Sequence, residues 1–126
     1  MADLPNLDSA EIAKVKAIAG SDKDGPVLML NLNRYLPEAG YPNGDLYQAY
    51  KAARAQIVED VGGKILWLTS VHGHVVGDQV IHEALGVWYP THQAFLDLAT
   101  APNSDENMRL RSLTVARADL HRCDAY

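Results

Sequence analysis

The sequence predicts one α+β domain in which helices cover a single face of a four-stranded antiparallel sheet. Three observations support this prediction. Residues 27–35, 64–74 and 80–89 show the period of two that is typical of strands. Segments with helical periodicity follow the first and the third of these runs. The chain has 126 residues, of which 48% are hydrophobic, and this is enough material for one core.

The N-terminal part of the chain predicts a short helix outside the main domain. Asp8 and Glu11 have the spacing of a capping box, which is typical of a helix N-terminus. The segment that ends at Gly20 carries three apolar residues on one face, namely Ile12, Val15 and Ala19. We therefore divide the chain into an N-terminal helix with its linker, residues 1–25, and a domain that comprises residues 26–126.

The first strand and the first helix of this domain have the clearest patterns. Residues 27–35 predict a strand, with Leu28, Leu30 and Leu32 on one face and Met29, Asn31 and Asn33 on the other. The loop at 37–44 contains two prolines and two glycines. A helix is then predicted from Asp45 to the pair Gly62-Gly63, because apolar residues recur at helical spacing: Leu46, Tyr50, Ala53, Ile57 and Val61.

The rest of the chain predicts a hairpin, a helical region and a last strand. Residues 64–74 and 80–89 form the hairpin. Helices are expected at 91–102 and at 103–111, and the weak alternation of residues 113–123 favours a strand. The resulting order, β-α-β-β-α-β after an extra N-terminal helix, is that of the ferredoxin-like fold.

Composition and charge exclude several classes of protein. Eleven Lys and Arg against sixteen Asp and Glu give a formal net charge of −5, which argues against nucleic acid as a partner. Uncharged apolar runs such as residues 65–71 are too short to cross a membrane, so no membrane association is expected. The single cysteine, Cys123, excludes an intrachain disulfide, and the N-terminus lacks the pattern of a signal peptide. We expect a cytoplasmic protein.

The predicted sheet has two apolar faces but helices for only one. The face toward the helices is assigned to Leu28, Leu30, Leu32, Ile65, Trp67, Val71, Ile81, Leu85 and Val87. The opposite face then carries Met29, Leu66, Leu68 and Trp88. A large bare apolar patch on a monomer marks an interface. We therefore expect a homodimer in which two sheets pack face to face and enclose a barrel.

Several short motifs carry a family resemblance: residues 27–32, Gly62-Gly63, Tyr89-Pro90-Thr91, Ala94-Phe95-Leu96, Arg111 and Leu113. Together they resemble a bacterial domain-of-unknown-function family of small dimeric α/β-barrel proteins, over residues 26–122. Thr91 stands where that family usually has Ser, and Trp88 where many members have a basic residue. The resemblance implies the dimeric barrel but no single reaction. The wider superfamily includes cofactor-independent monooxygenases, muconolactone isomerases, haem-dependent enzymes and simple ligand binders.

Strand parity predicts which side chains line the barrel: Asn31, Asn33, Ser70, His72, His74, His82 and Trp88. A lining that is partly polar and partly aromatic is typical of a small-molecule pocket. Arg34, at the end of its strand, and Tyr50, after the 37–44 loop, are further candidates for contact with a substrate.

Three of these residues are histidines, and they suggest two kinds of chemistry. A three-residue hairpin loop would place His74 opposite His82, with His72 on the same face. A histidine in a partly apolar pocket titrates near neutrality, so we take His72 and His74 as the catalytic acid/base candidates. A metal or haem site is the alternative, but Glu83 has the wrong parity to join it. We therefore expect neither metal nor cofactor.

These observations favour a homodimeric small-molecule enzyme. It would carry out cofactor-independent proton transfer, isomerisation or oxygenation of a small cyclic or aromatic metabolite. The alternative is a non-catalytic ligand-binding or structural homodimer with the same fold.

Overall fold

Four strands form one antiparallel sheet. The computed structural model describes residues 4–125. Its strands are β1 (Val27–Tyr35), β2 (Lys64–Ser70), β3 (Glu83–Tyr89) and β4 (Val115–Asp124), and its α-helices are α1 (Ser9–Ala19), α2 (Asp45–Asp60), α3 (His92–Asp97) and α4 (Ser104–Thr114). The strands lie in the sheet in the order β2-β3-β1-β4. This order confirms the predicted ferredoxin-like α+β fold. Among the described residues, no helix is long and apolar enough to cross a membrane.

All four helices lie on the same face of the sheet. Helix α1 packs against α3, and α2 packs against α4. The main core lies between the helices and the sheet, and its buried residues include Val15, Met29, Val58, Leu85 and Phe95. The predicted cap of the first helix is present, because Asp8 Oδ1 accepts the N–H groups of Ala10 and Glu11 at 3.0 and 3.1 Å. The division of the chain at residue 25 stays a prediction.

The predicted hairpin is shorter than the alternation suggested. Strand β2 ends at Ser70 and β3 begins at Glu83, so residues 71–82 form a loop. Ser70 pairs with Glu83, and the last bond between these strands runs from Val71 N–H to the carbonyl of His82 at 2.8 Å. The prediction of strands through His74 and from Val80 was therefore wrong. Two glycines in this loop weaken strand pairing, and they were a signal against extending the strands.

The predicted orientation of β1 was also wrong. Val27, Met29, Asn33 and Tyr35 face the helices, whereas Leu28, Leu30 and Leu32 face the other side. The pattern could not settle this, because both faces of the strand are apolar in its first half. Both faces are also buried there: Val27, Leu28 and Met29 are 2%, 4% and 3% exposed.

A bulge in β2 reverses the predicted positions of the side chains that follow Leu66. Ile65 pairs with Val87, but Trp67 pairs with Gly86, so the register shifts by one residue at Leu66. Trp67 therefore lies on the open face of the sheet, directly over Gly86, and not on the helix side as predicted. A Cβ added at Gly86 would lie 2.6 Å from the indole ring, so this position requires glycine.

Candidate functional site

A buried ion pair joins helix α2 to strand β3. Arg54 Nη1 donates to Glu83 Oε1 at 2.6 Å, and Arg54 Nη2 donates to Glu83 Oε2 at 3.4 Å. The two side chains are 7% and 0% exposed. The hydroxyls of Tyr35 and Tyr47 each donate to one oxygen of the same carboxylate, and Asn33 Nδ2 donates to Oε1 at 3.3 Å. Four side chains therefore share one buried acceptor, which we call the Glu83 network.

The charges of the Glu83 network are fixed by mutual contact. Burial acts to raise the pKa of Glu83, but hydrogen bonds and the charge of Arg54, with smaller effects from Tyr35 and Tyr47, hold the pKa below its usual value of 4.5. Burial raises the pKa of both tyrosine hydroxyls, and the neighbouring carboxylate raises it further. The network thus contains one carboxylate, one guanidinium and neutral phenols near neutral pH.

An aromatic cluster continues from the Glu83 network toward the end of the hairpin. Tyr41 stacks on Tyr35 with ring centroids 5.1 Å apart, and His82 stacks on Tyr41 at 5.9 Å. His82 Nδ1 accepts the backbone N–H of Tyr35 at 2.9 Å, so this nitrogen is an acceptor in the structure. The hydroxyls of Tyr41 and Ser70 are 2.7 Å apart. Two predicted site residues, Ser70 and His82, therefore belong to this cluster.

A cavity of about 110 Å³ lies between the sheet and the helices, next to the Glu83 network. Its polar walls include Asn31, Asn33, Tyr50, Arg54, Asn107 and Arg111. Its apolar walls include Ile57, Val58, Val87, Phe95, Leu98 and Met108. Among the described residues, no Asp, Glu or His lines it. A largely apolar cavity with a few converging polar groups is the usual form of a small-molecule site. We call it the helix-side cavity.

A second cavity of about 150 Å³ adjoins the first one. Both are bordered by Leu4, Phe95, Arg111, Ala118 and Leu120, so β4 forms a common wall. Helix α1 and the segment before it close the far side, where Glu11 Oε1 accepts from Arg122 Nε at 2.6 Å. The N-terminal helix, which lies outside the region of family resemblance, therefore contributes to the enclosed space.

The structure separates the predicted site residues into different regions. Asn31, Asn33 and Tyr50 border the helix-side cavity, which is enclosed within one chain and not by the predicted barrel. Arg34 is exposed and lies in a groove with the 71–82 loop, and Trp88 lies on the open face of the sheet under Lys64 Nζ, 5.8 Å from the ring centroid. The assigned roles of these residues stay predictions.

The predicted cluster of three histidines does not form. His72 and His74 lie in the 71–82 loop, where both are exposed, whereas His82 is held by the backbone of Tyr35. Ser70 pairs with Glu83, and this register removes the predicted opposition of His74 and His82. Within residues 4–125, no group of three His, Cys, Asp or Glu side chains is placed to hold a metal. The catalytic role of His72 and His74 stays a prediction.

Sequence reasoning missed the central ion pair, although the sequence contained a signal for it. Tyr47, Tyr50 and Arg54 are separated by three and four residues, so they lie along one face of α2. Glu83 alternates with Leu85, Val87 and Tyr89 along the helix-facing side of β3. Each pattern places a charged residue at a core position, and a buried charge requires a partner. The two charged residues at core positions are Arg54 and Glu83, and each is the partner that the other requires, so the two patterns together predict their contact.

The fold and the cavity define a ferredoxin-like α+β protein with a partly open cavity of about 110 Å³ between its sheet and its helices. The chain is similar to the solved structure of RPA0582, a protein of unknown function from Rhodopseudomonas palustris, with 26% identity over 96% of this chain and 95% of that one and a TM-score of 0.76. The methylated form of RPA0582 gives 26% identity, coverage of 100% and 97%, and a TM-score of 0.77.

A third solved structure shares the fold alone. It is a dabb family protein with a ferredoxin-like fold from Mesorhizobium loti, 9% identical, covering 81% of this chain and 98% of that one, with a TM-score of 0.58. No family model and no curated protein matches the chain. These likenesses confirm the predicted resemblance to ferredoxin-like proteins of an uncharacterised family.

Proposed function

We propose that the chain is a cytoplasmic protein that binds a small cyclic or aromatic metabolite in the helix-side cavity. The observation that carries this proposal is the cavity itself, which combines aliphatic and aromatic walls with the polar ends of Tyr50, Arg54 and Asn107. Apolar walls supply affinity for a ring, and a few placed polar groups supply orientation. The Glu83 network supports the site, because it fixes the Nη1 and Nη2 atoms of Arg54.

We further propose that two copies pair through the open face of the sheet. This face carries Leu30, Leu32, Trp67 and Trp88, and no helix of the described chain covers it. Its β4 edge is polar, with Arg117, Asp119 and His121. Trp67 is 39% exposed on this face. A patch of this kind on a small domain favours association, and a C2 dimer buries the same patch on both copies. Each subunit then keeps its own cavity on the outer side of the sheet.

Catalysis on the bound metabolite is the second candidate. Cofactor-independent proton transfer, isomerisation or oxygenation creates negative charge on a substrate oxygen. The guanidinium of Arg54, held in an apolar enclosure, favours such a charge. The predicted bases, His72 and His74, lie in the exposed 71–82 loop, and the described cavity wall contains no imidazole or carboxylate. Ligand binding therefore ranks before turnover.

A ligand-retention experiment tests the binding proposal. The protein is incubated with a metabolite extract, passed through a desalting column and denatured, and the released molecules are identified by mass spectrometry. Ala118→Phe fills the shared wall of the cavities. The matched control is Ala55→Phe on the exposed face of α2. We expect a small molecule that is retained by the wild-type protein and by Ala55→Phe but lost from Ala118→Phe.

Two results would count against the proposal. If the wild-type protein retains no molecule, the proposed ligand-binding function is wrong. Equal retention by the two phenylalanine variants would place the ligand outside the cavity. Once a ligand is known, His72→Ala and His74→Ala test the catalytic candidate. Unchanged turnover and unchanged pH dependence in both variants would exclude these histidines as acid/base groups.

A further inference from the structure

Two buried hydrogen-bond donors beside the helix-side cavity have no partner in the described part of the chain. They are Arg54 Nε and Asn107 Nδ2. The residues come from different helices, α2 and α4, and both side chains line the same cavity. Arg54 is only 6% exposed. A buried donor without an acceptor is unfavourable, and native proteins satisfy nearly all of them with protein, water or ligand atoms. Two such donors at one cavity therefore indicate a missing acceptor.

The charges around the cavity indicate that this acceptor is anionic. Arg54 and Arg111 are the charged residues of the described wall. Glu83 neutralises Arg54 from outside the cavity, whereas Arg111 forms no ion pair within residues 4–125. In the adjoining cavity, Glu11 pairs with Arg122, and Asp8 caps α1. The first cavity taken alone thus has an excess of one positive charge, which a single carboxylate would balance, whereas the carboxylate of Asp8 lies in the wall of the second cavity.

The remaining walls define the body of the ligand. They are aliphatic and aromatic, and they include Val58, Val87, Phe95 and Met108. An apolar protein cavity of about 150 Å³ is large enough to hold a benzene ring. The helix-side cavity, at about 110 Å³, adjoins the second cavity along β4, so the two together suit one ring or a short chain. Longer or branched molecules would require the helices to move apart.

We propose that the ligand of this cavity is a small monocarboxylic acid with a ring or a short apolar chain. Its carboxylate accepts hydrogen bonds from Arg54 and Asn107 and lies in the field of Arg111, while its apolar body packs between α2, α4 and the sheet. This inference rests on the proposed function and gives it a chemical class. Glu83 holds the Nη1 and Nη2 atoms of Arg54, and the fully buried Nε is left without an acceptor in the described part of the chain.

Matched probes test the charge requirement. Benzoate and hexanoate are compared with the uncharged benzamide and hexanamide by isothermal titration at low ionic strength. We expect each acid to bind at least about tenfold more tightly than its amide, since charge-assisted hydrogen bonds are roughly twice as strong as neutral ones. We also expect affinity for the acids to fall as salt is added, because Arg111 is only partly buried.

Three variants of α4 locate the binding site without disturbing the Glu83 network. Asn107→Leu removes one unpaired donor at similar volume, and Arg111→Gln removes the unpaired cation. Arg109→Gln is the control, because Arg109 is exposed on the same helix and pairs with Glu106 at 2.7 Å. We expect each of the first two substitutions to weaken benzoate binding by about tenfold, with no change for Arg109→Gln. Circular dichroism spectra confirm that each variant is folded.

The outcomes separate this inference from the proposed function. Acid binding that falls in Asn107→Leu and Arg111→Gln supports both. A neutral molecule that is retained by the wild-type protein and lost from Ala118→Phe would overturn the carboxylate and leave the binding function intact. Equal affinity for benzoate and benzamide would likewise overturn the carboxylate and leave the binding function intact. Absence of binding by all four probes, together with an empty retention experiment, would overturn both.

Discussion

The two faces of the sheet differ in how their side chains are buried and in which chemical groups they carry. On the helix side, charged and phenolic groups are enclosed and satisfied by one another, with Glu83 accepting from Arg54, Tyr35 and Tyr47. On the open side, β1, β2 and β3 carry partly exposed apolar groups, with Trp67 lying across Gly86, and β4 carries Arg117, Asp119 and His121. The first face is complete within one chain except at its cavity. The second face is left uncovered by the helices of the described chain.

This difference assigns different tasks to the two faces. Buried polar groups are oriented by their hydrogen bonds, so the helix side offers fixed geometry to a ligand. Apolar surface is not directional, so the open side is suited to association but gives little chemical selectivity. We therefore propose that ligand recognition belongs to the helix side and assembly to the open side. The substitutions below test this division of roles, beginning with the largest expected effect.

Loss of the buried carboxylate is expected to be the most destabilising change. Glu83→Leu leaves Arg54 charged and without its partner inside the protein. Breaking a buried pair from one side costs about 3–5 kcal/mol, which is a large part of the stability of a small domain. Urea unfolding followed by circular dichroism measures the free energy of unfolding. Glu59→Leu, on the exposed side of α2, is the control and should change it by less than about 0.5 kcal/mol.

A compensating substitution separates charge from packing in this prediction. Arg54→Met in the Glu83→Leu background removes the unpaired guanidinium, so part of the lost stability should return. Recovery is incomplete, because Tyr35 and Tyr47 still lack their acceptor. Wild-type stability in the single Glu83→Leu variant would contradict the view that the network holds the helix side together.

A charge on the open face is expected to separate the proposed dimer without unfolding the subunit. Trp67→Glu introduces a carboxylate into the patch, and burial of an unpaired carboxylate at an interface is strongly unfavourable. Sedimentation should change from a dimer to a species of 13.8 kDa, with the far-ultraviolet spectrum unchanged. Leu113→Glu, at the exposed end of α4 and 45% exposed, is the control and should stay dimeric. If the wild-type protein itself sediments at 13.8 kDa, it is a monomer and the proposed dimer interface is wrong.

The order of elements was predictable from the sequence because each element has a strong local pattern. Asp8 at the start of α1, the paired glycines after α2 and the alternation in β3 are local signals, and each corresponds to the structure. The direction that β1 faces is not local. It depends on which of the two rows of alternate side chains in β1 packs against the helices. Both rows are apolar in the first half of the strand and both repeat every second residue, so the sequence pattern does not distinguish them.

The site was only partly predictable, since it depends on contacts between distant positions. Asn33 was identified as a polar exception in an apolar strand, and Tyr50 as a phenol that follows the 37–44 loop, and both border the cavity. The contact between Arg54 and Glu83 was missed, because Glu83 was considered only as a partner for the histidines and Arg54 was not singled out. The one-residue bulge at Leu66 had no sequence signal apart from Gly86 opposite it, and it moved Trp67 to the other face.

The acid stability of the chain should depend on Glu83. Its pKa is lowered in the folded state relative to 4.5, because Arg54 and the tyrosine hydroxyls outweigh the effect of burial. A lowered pKa means that this stabilisation is fully present above the unfolded-state pKa and is lost as pH falls through the folded-state pKa. In Glu83→Gln, the free energy of unfolding should therefore depend less on pH below about 4.5.

An exposed pair provides the comparison for this pH dependence. The pKa of Glu106 is also lowered, by its hydrogen bond to Arg109, but both groups lie at the surface. Solvent and salt screen such pairs, so Glu106→Gln should keep the wild-type pH dependence of the free energy of unfolding. Equal profiles in Glu83→Gln and in the wild-type protein would show that the buried carboxylate is not the group that titrates.

The smallest expected effect concerns the loop that connects α1 to the sheet. Asp24 accepts the backbone N–H groups of His92 and Gln93 at 2.7 and 3.2 Å, so a side chain from before β1 caps helix α3. Asp24→Ala should lower the free energy of unfolding by about 1 kcal/mol, the usual cost of a lost cap. Asp22→Ala, in the same loop and exposed, should cause no measurable change in the free energy of unfolding.

Because α3 supplies Phe95 to both cavities, Asp24→Ala should also weaken benzoate binding, while an open-face substitution such as Trp67→Glu should leave it unchanged. Loss of binding in both variants would contradict the separation of recognition from assembly.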